Sequence, residues 1–450
     1  MGLKEKTLNG VFWTFSHQLG VQSINFIVQI ILARILLPED FGLIAMIQIF
    51  ITIGHTLMDG GMTSSLIRSK DINQRDYSTV FLINVLSSVL IYIALFFSAP
   101  AISSFFEQPQ LINIIRVLTF SFIIQSFVAV QTTILTRELK FRLQMLMQLP
   151  ASIIGGIVGI VMAFLDYGVW SLVWLKLATT FVFMIQHWFQ TDWKPKIIID
   201  KERLKYHFNF GYKLTLSSLL STIYNNVYVI IIGKIFPAAQ LGFYTQADTL
   251  RMFPVRNIAT ALQKVTYPIF STIQDDNLRL KEAFKKITAV LYFIIVPVML
   301  ILIVIAEPLF RAVLTEKWLP AVPYFQILCF SAIAYPLSVY NLNIILAKGK
   351  TSLILRLEIL KKAISMLFLL LIIPFGIYGV VYARAIGLII QAFINIHYSG
   401  RMINYSLKKQ FIDLSPIFLI GFVTMGICWL GDNFILYHLH ILKFISTDSK

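Results

Sequence analysis

Polar residues recur at Thr14, Gln18, Gln22, Asn25 and Gln29, spacings that place them on one face of a helix. The residues between them are mostly apolar, so the stripe runs along a segment fit for hydrocarbon. A polar stripe turned to lipid is costly, and this one must face protein or water. Small polar groups commonly hydrogen-bond neighbouring membrane helices, but four large amides on one helix exceed what packing needs. Gln18, Gln22 and Asn25 are therefore candidate contacts to a polar substrate in a cavity. Some 200 positions later Ser218, Ser221, Thr222 and Asn225 form a similar face, which adds Ser218 and Asn225.

Charges inside the apolar runs carry the second signal. Arg116, Lys176, Lys213, Arg251, Arg256, Lys264, Lys361, Lys362 and Arg384 lie within candidate spans, against Asp59, Asp248 and Glu358 alone among the acids. A charge at mid-bilayer costs about 2.5–3.5 kcal/mol on insertion scales, so surplus cations imply anionic partners. Arg116, Lys213, Lys361 and Lys362 sit near span ends, where long side chains snorkel to the interface. Arg256 and Lys264 are deeper, eight residues apart and roughly on one side, a pair able to hold phosphate groups. Asp59 precedes Gly60-Gly61 and could pair with a base, carry a coupling proton or cap a helix break. His17 beside the first stripe is either a packed histidine or a coupling group. Asp275-Asp276 reads as solvated loop charge rather than a metal site, and Cys329 and Cys428 suggest neither a disulfide nor a metal. No phosphate-binding G-x-x-x-x-G-K-[ST] loop occurs, and no cofactor is implied.

The elements that position these residues follow from composition. The chain has 450 residues, is 57% hydrophobic and 13% charged, against about 25% charged in soluble domains. Its net charge of +16 could suggest nucleic acid, but the cations punctuate apolar runs instead of forming one basic face. An all-α polytopic membrane protein is expected. Runs near 11–33, 41–66, 79–104, 111–136, 147–165 and 168–190 read as six membrane helices. Those near 209–232, 241–270, 287–306, 320–347, 357–374 and 377–398 read as six more, with one near 414–431. Phe434–Ile445 is only about half a span, leaving a fourteenth helix open.

The chain also repeats itself. Ala33–Gly42 matches Gly233–Gly242 at an offset of 200, and Ile134-Leu135 and Tyr167-Gly168-Val169 recur 211 positions on. Six helices per half give a parallel repeat, and transporters built this way bind substrate between the halves. The expected organisation is a six-helix lobe over 1–191 and a linker over 192–207. A second six-helix lobe over 208–400 and an extra helix and tail over 401–450 complete it.

Several segments also carry a family resemblance. These are Gly10-Val11-Phe12-Trp13, Leu32–Gly42, Asp59-Gly60-Gly61 with Ser64 to Ile67, Phe105–Pro109 and Val265–Ser271. In order and spacing over residues 8–410 the chain resembles the polysaccharide exporters of the multidrug/oligosaccharidyl-lipid/polysaccharide flippase superfamily. The resemblance implies a flippase turning a polyprenyl-diphosphate-linked oligosaccharide across the bacterial cytoplasmic membrane by alternating access. It would serve lipopolysaccharide, capsule or exopolysaccharide synthesis, with a polymerase and glycosyltransferases as partners besides the membrane lipids. The nearest rival is a drug/cation antiporter of the same superfamily, which would want an intramembrane carboxylate that the first helix lacks. A membrane enzyme of polysaccharide assembly would want a sizeable outer loop, and the longest, Glu307–Trp318, is short.

Orientation follows from the basic residues. Asp192–His207 alone holds Lys194, Lys196, Lys201, Arg203 and Lys205, whereas the opposite loops hold Arg34, Lys234, Arg311 and Lys317. The positive-inside rule therefore places the N-terminus in the cytoplasm. Cysteines introduced into 71–77 or 192–207 should resist an impermeant thiol reagent added to intact cells, and one at 307–318 should react. Labelling of 192–207 from outside would reverse the orientation.

Overall fold

The computed structural model describes residues 20–447, apart from the side chains of 256–265, 267–269, 351 and 432–447. The expected runs fall on helices. The first half consists of α1 (Gly20–Ile35), α2 (Pro38–Asp59), α3 (Met62–Arg68), α4 (Gln74–Phe106), α5 (Leu111–Leu118), α6 (Ser121–Arg137), α7 (Phe141–Phe164) and α8 (Trp170–Gln190). After an irregular stretch come α9 (Lys201–Asn225), α10 (Val227–Ile235), α11 (Ala238–Thr272), α12 (Asn277–Val304), α13 (Ala306–Val313), α14 (Val322–Ala332) and α15 (Ala334–Ala347). The chain ends with α16 (Thr351–Ile372), α17 (Gly376–Met402) and α18 (Leu407–Thr447). Among the described residues, 9 apolar stretches are long enough to cross a membrane, and α9 with α10, bent by 44°, makes a tenth. This is a multi-pass membrane protein with an all-α fold.

Three expectations change. Glu307–Trp318 is not an open loop: α13 and a 3₁₀ turn (Glu316–Ala321) fold back, with Arg311 bonded to both Glu307 and Glu316 at 2.9 Å. Phe434–Ile445 is no separate element, because α18 runs on through it. Asp276 is not idle loop charge. Its carboxylate accepts the Leu278 and Arg279 N–H groups at 3.0 Å and caps α12, as Asp200 caps α9. Such caps satisfy donors that the first helical turn leaves free.

Contacts divide the chain after Gly242 into two compact units. The segment expected as a linker is irregular only to Asp200, and 201–207 form the first turns of α9. Although the repeat counts α9 and α10 with the second half, their contacts belong to the first unit.

In that first unit, small residues on α7 let neighbouring helices approach closely. A Cβ on Gly155 or Gly159 would strike Thr179 or Leu175 of α8, and one on Gly156 would strike Val28 of α1. Close packing of small faces replaces the hydrophobic drive that lipid removes. In the second unit, Tyr292 of α12 donates to the Ile333 carbonyl at 2.7 Å. A polar seam joins α15, α17 and α18 through Asn341, Ser399 and Gln410, with Ser399 Oγ donating to Asn341 at 2.5 Å.

The repeat is legible in the backbone. Residues 31–40 and 231–240 share one sequence of helix, bend and helix start. Their ends meet: a Cβ on Gly42 would overlap the Ala238 carbonyl, and one on Gly242 would overlap that of Pro38. This reciprocal crossing explains why glycine stands at both positions. The later repeat aligns at 210 rather than 211. Leu139 and Gly349, both left-handed at φ 57° and 68°, end α6 and α15 equivalently, whereas Gly168 is left-handed and Gly379 is helical.

Replacing Gly242 by Leu should therefore destabilise the first unit by about 1–3 kcal/mol, the usual cost of overpacking. Gly426→Leu, where a Cβ meets nothing within 4 Å, should leave the detergent melting temperature unchanged. Equal melting of the two variants would contradict the crossing.

Candidate functional site

Helix α2 ends at an elbow that its sequence requires. Gly60 and Gly61 are both left-handed, at φ 55° and 68°, a conformation that L side chains rarely tolerate. The Asp59 carboxylate accepts the Thr63 N–H at 3.3 Å and so caps the restart at α3. Gly61 also backs onto α9: a Cβ there would come within 2.5 Å of the Gly211 carbonyl oxygen. Glycine on both sides makes this a contact of backbone against backbone.

Next to that contact lies a recess of about 280 Å³. Its wall comprises His55, Thr56 and Asp59 of α2, Gly61, Ser64 of α3, and Leu214, Thr215 and Ser218 of α9. Four hydroxyls, an imidazole and a carboxylate thus converge on the recess. His55 is held edge-on against the Phe122 ring at 4.8 Å, and Phe122 packs on Gly54. Lys176 of α8 is exposed and within electrostatic reach of His55. Chemically the recess offers hydrogen-bond donors and acceptors to a hydroxyl-rich ligand.

The structure brings Asp59 and Ser218 together; of the other expected contacts that are described, Gln22, Asn25 and Asn225 do not line this recess. Gln22 is half-buried and Asn25 exposed on α1; Asn225 is exposed at the end of α9, beside the bend. His17 and Gln18, and the side chains of Arg256 and Lys264, lie outside the described residues. His55, Thr56, Ser64 and Thr215 escaped the sequence reading. The stripe Gln48, Thr52, Thr56 on α2, with His55 and Asp59 flanking it, carried the missing signal.

The intramembrane cations resolve differently than expected. Lys361 does not snorkel: it is buried, bonded to Glu358 and 3.2 Å from Asn395 Oδ1. Arg251, also buried, lies 2.5 Å from Asp248 and donates to the Leu328 carbonyl at 3.3 Å. Two of the surplus cations are thus neutralised by carboxylates three residues away. Arg116 lies over the Phe96 ring at 4.4 Å. At the α10 end of the first unit, Lys234 bonds Glu107 at 2.7 Å and holds that carboxyl below its usual range.

Apolar spans, a broken helix and a polar recess at the break make up the fold of the first unit. Solved membrane proteins share the all-α fold of the chain. The chain matches the lipid II flippase MurJ in an inward closed conformation with a TM-score of 0.73 and 16% identity, covering 95% of this chain and 99% of that one. It matches an inward-facing multidrug resistance MATE family transporter of the MOP superfamily at 0.63 and 18%, covering 85% and 94%. Residues 31–323, more than half of the chain, match the family described as polysaccharide biosynthesis protein, and the chain belongs to that family. Relatives include the lipopolysaccharide biosynthesis protein WzxC of Escherichia coli, 23% identical over 419 residues and covering 93% of this chain and 82% of that protein. The teichuronic acid biosynthesis protein TuaB of Bacillus subtilis is 24% identical over 354 residues, covering 78% and 73%.

The elbow yields a direct test. An amide caps a helix about as well as a carboxylate, whereas alanine at a cap costs about 1 kcal/mol. Asp59→Asn should melt like the parent protein in detergent, and Asp59→Ala should melt lower. Equal losses in both variants would show that the charge, not the cap, stabilises this position.

Proposed function

We propose that the chain is a flippase that turns a polyprenyl-diphosphate-linked oligosaccharide across the bacterial cytoplasmic membrane by alternating access. Its product would feed lipopolysaccharide, capsule or exopolysaccharide synthesis. It lowers a passage barrier and is not an enzyme; a polymerase and glycosyltransferases act before and after it. The basic loops, and with them the N-terminus, face the cytoplasm.

The observation that carries this reading is the recess beside the Gly60–Gly61 elbow. Hydroxyls from Thr56, Ser64, Thr215 and Ser218 suit sugar hydroxyls far better than an apolar drug cation. The family description and relatives named for polysaccharide synthesis favour the same substrate over that of an antiporter. Gln18, Gln22, Asn25, Ser218 and Asn225 serve the saccharide as polar contacts. Arg251 and Lys361 are neutralised internally; Arg256 and Lys264, eight residues apart in the sequence, are the pair proposed to meet the diphosphate.

A diphosphate with about two negative charges moves outward down an inside-negative potential. At about 2.3 kcal/mol per charge per 100 mV, full transit releases roughly 4–5 kcal/mol. Membrane potential is therefore the proposed drive, and Asp59 and His17 are structural rather than coupling groups.

Genetic replacement tests the assignment. Cells relying on the Arg256→Gln/Lys264→Gln double variant should accumulate lipid-linked oligosaccharide and lose surface polysaccharide, with normal membrane insertion. Undiminished surface polysaccharide would remove the pair from the substrate path.

A further inference from the structure

The inner part of α9 is fastened to α3 and α4 by a buried polar latch directly below the recess. His207 of α9 and Asp76 of α4 are both buried, an arrangement rare without a reason because buried charge is costly. His207 Nε2 lies 3.1 Å from Asp76 Oδ1, and its Nδ1 lies 2.8 Å from the Ser65 hydroxyl. An imidazole carrying its proton on Nε2 donates to Asp76 and accepts from Ser65, so every partner is satisfied. Arg203 approaches the same carboxylate at 3.5 Å, and Asp76 also accepts the Asn73 N–H at 3.0 Å. One turn away, Ser69 donates to the Tyr206 hydroxyl at 3.3 Å and the Arg68 guanidinium lies 4.8 Å from the centre of the Phe210 ring.

Two more observations turn this fastening into a device. First, the helix bends by 44° at Asn226, where α9 gives way to α10. Beyond the bend α10 is anchored separately: Tyr228 is buried, Gly233 packs on Met46 and Phe106, and Lys234 pairs with Glu107. Second, between the latch and the recess Gly61 and Gly211 meet backbone to backbone, a contact that holds no side chains in interlock. Eight residues, about 12 Å of helix, separate His207 from Thr215 on the recess wall.

We propose that the inner part of α9 is the cytoplasmic gate of the recess, hinged at Asn225-Asn226 and held shut by His207, Asp76 and Ser65. Releasing the latch lets this segment swing from α3 while α10 stays in place, and it opens the recess to the inner leaflet. The cytoplasmic assignment rests on the orientation proposed above; the gate itself rests on the contacts of α9. A polar latch suits this role better than an apolar seam. Broken in an opened state, its groups are rehydrated at the membrane surface, so opening costs less than exposing an apolar core.

The test uses the full-length protein with Cys329→Ala and Cys428→Ser. With cysteine at position 215, an impermeant maleimide added to inside-out vesicles should label Asp76→Asn about tenfold faster than the parent, the change that ~1.4 kcal/mol of lost latch energy produces. In a second arm, Ser69→Cys and Tyr206→Cys are bridged by a short cleavable thiol crosslinker. Bridging should halt translocation of a fluorescent lipid-linked oligosaccharide in proteoliposomes, and reductive cleavage should restore it. Translocation by the bridged protein at the unbridged rate would overturn the gate. So would unchanged labelling of a correctly inserted Asp76→Asn protein. If Asp76→Asn fails to insert, the crosslinking arm decides. If the unbridged parent moves no lipid, the flippase reading fails, while the labelling arm still reports on the gate.

Discussion

In hydrocarbon, every backbone N–H and C=O must find a partner within the protein, so a membrane helix can break only where the fold supplies one. The elbow at Gly60-Gly61 meets that demand with few residues. Two left-handed glycines turn the chain, Asp59 caps the restart, and the flat glycine face admits the backbone of α9. The polar recess exists because of this break. His55, Thr56, Asp59 and Ser64 converge from α2 and α3 only because one straight helix became two, and Thr215 and Ser218 reach them because Gly211 brings α9 close.

The same logic governs the charges. Arg251 and Lys361 are stable where they are buried because carboxylates one helical turn away neutralise them. Where charge is buried near the recess, it appears as the Asp76–His207–Ser65 cluster joining elements far apart in sequence. The buried pairs Arg251–Asp248 and Lys361–Glu358 each sit within one helix, while the Asp76–His207–Ser65 cluster joins α9 to α3 and α4. That division separates charges that hold a helix in the membrane from charges that hold helices together.

Much of the fold is legible in the residues themselves. Spans announce themselves by length and apolarity, and the pair Gly42 and Gly242 marks a repeat that the backbone reproduces as a reciprocal crossing. The polar face of α9 is equally plain, and Ser218 does line the recess. Less was readable where sequence distance hides contact: His207 and Asp76 lie 131 positions apart, and no local pattern connects them. Equally hidden was the allegiance of α9, which belongs to the second half by homology of the repeat but to the first unit by its contacts. The partners of Arg251 and Lys361 stand three residues away on the same helix face, a pairing that a count of charges does not reveal. The match at Tyr167-Gly168-Val169 also misled, since the left-handed glycines of the two turns stand at 168 and 376, an offset of 208 rather than 211.

The central claim is vectorial movement of an anionic lipid-linked saccharide, and purified protein in liposomes tests it most directly. A fluorescent polyprenyl-diphosphate oligosaccharide is placed in both leaflets, and its exposure to an impermeant quencher is followed while potential and pH gradient are imposed separately. The account predicts redistribution toward the positive side under a potassium–valinomycin potential and none beyond the downhill rate under a pH gradient alone. Transport driven by the pH gradient alone, and abolished by Asp59→Asn, would contradict it and make Asp59 the coupling residue.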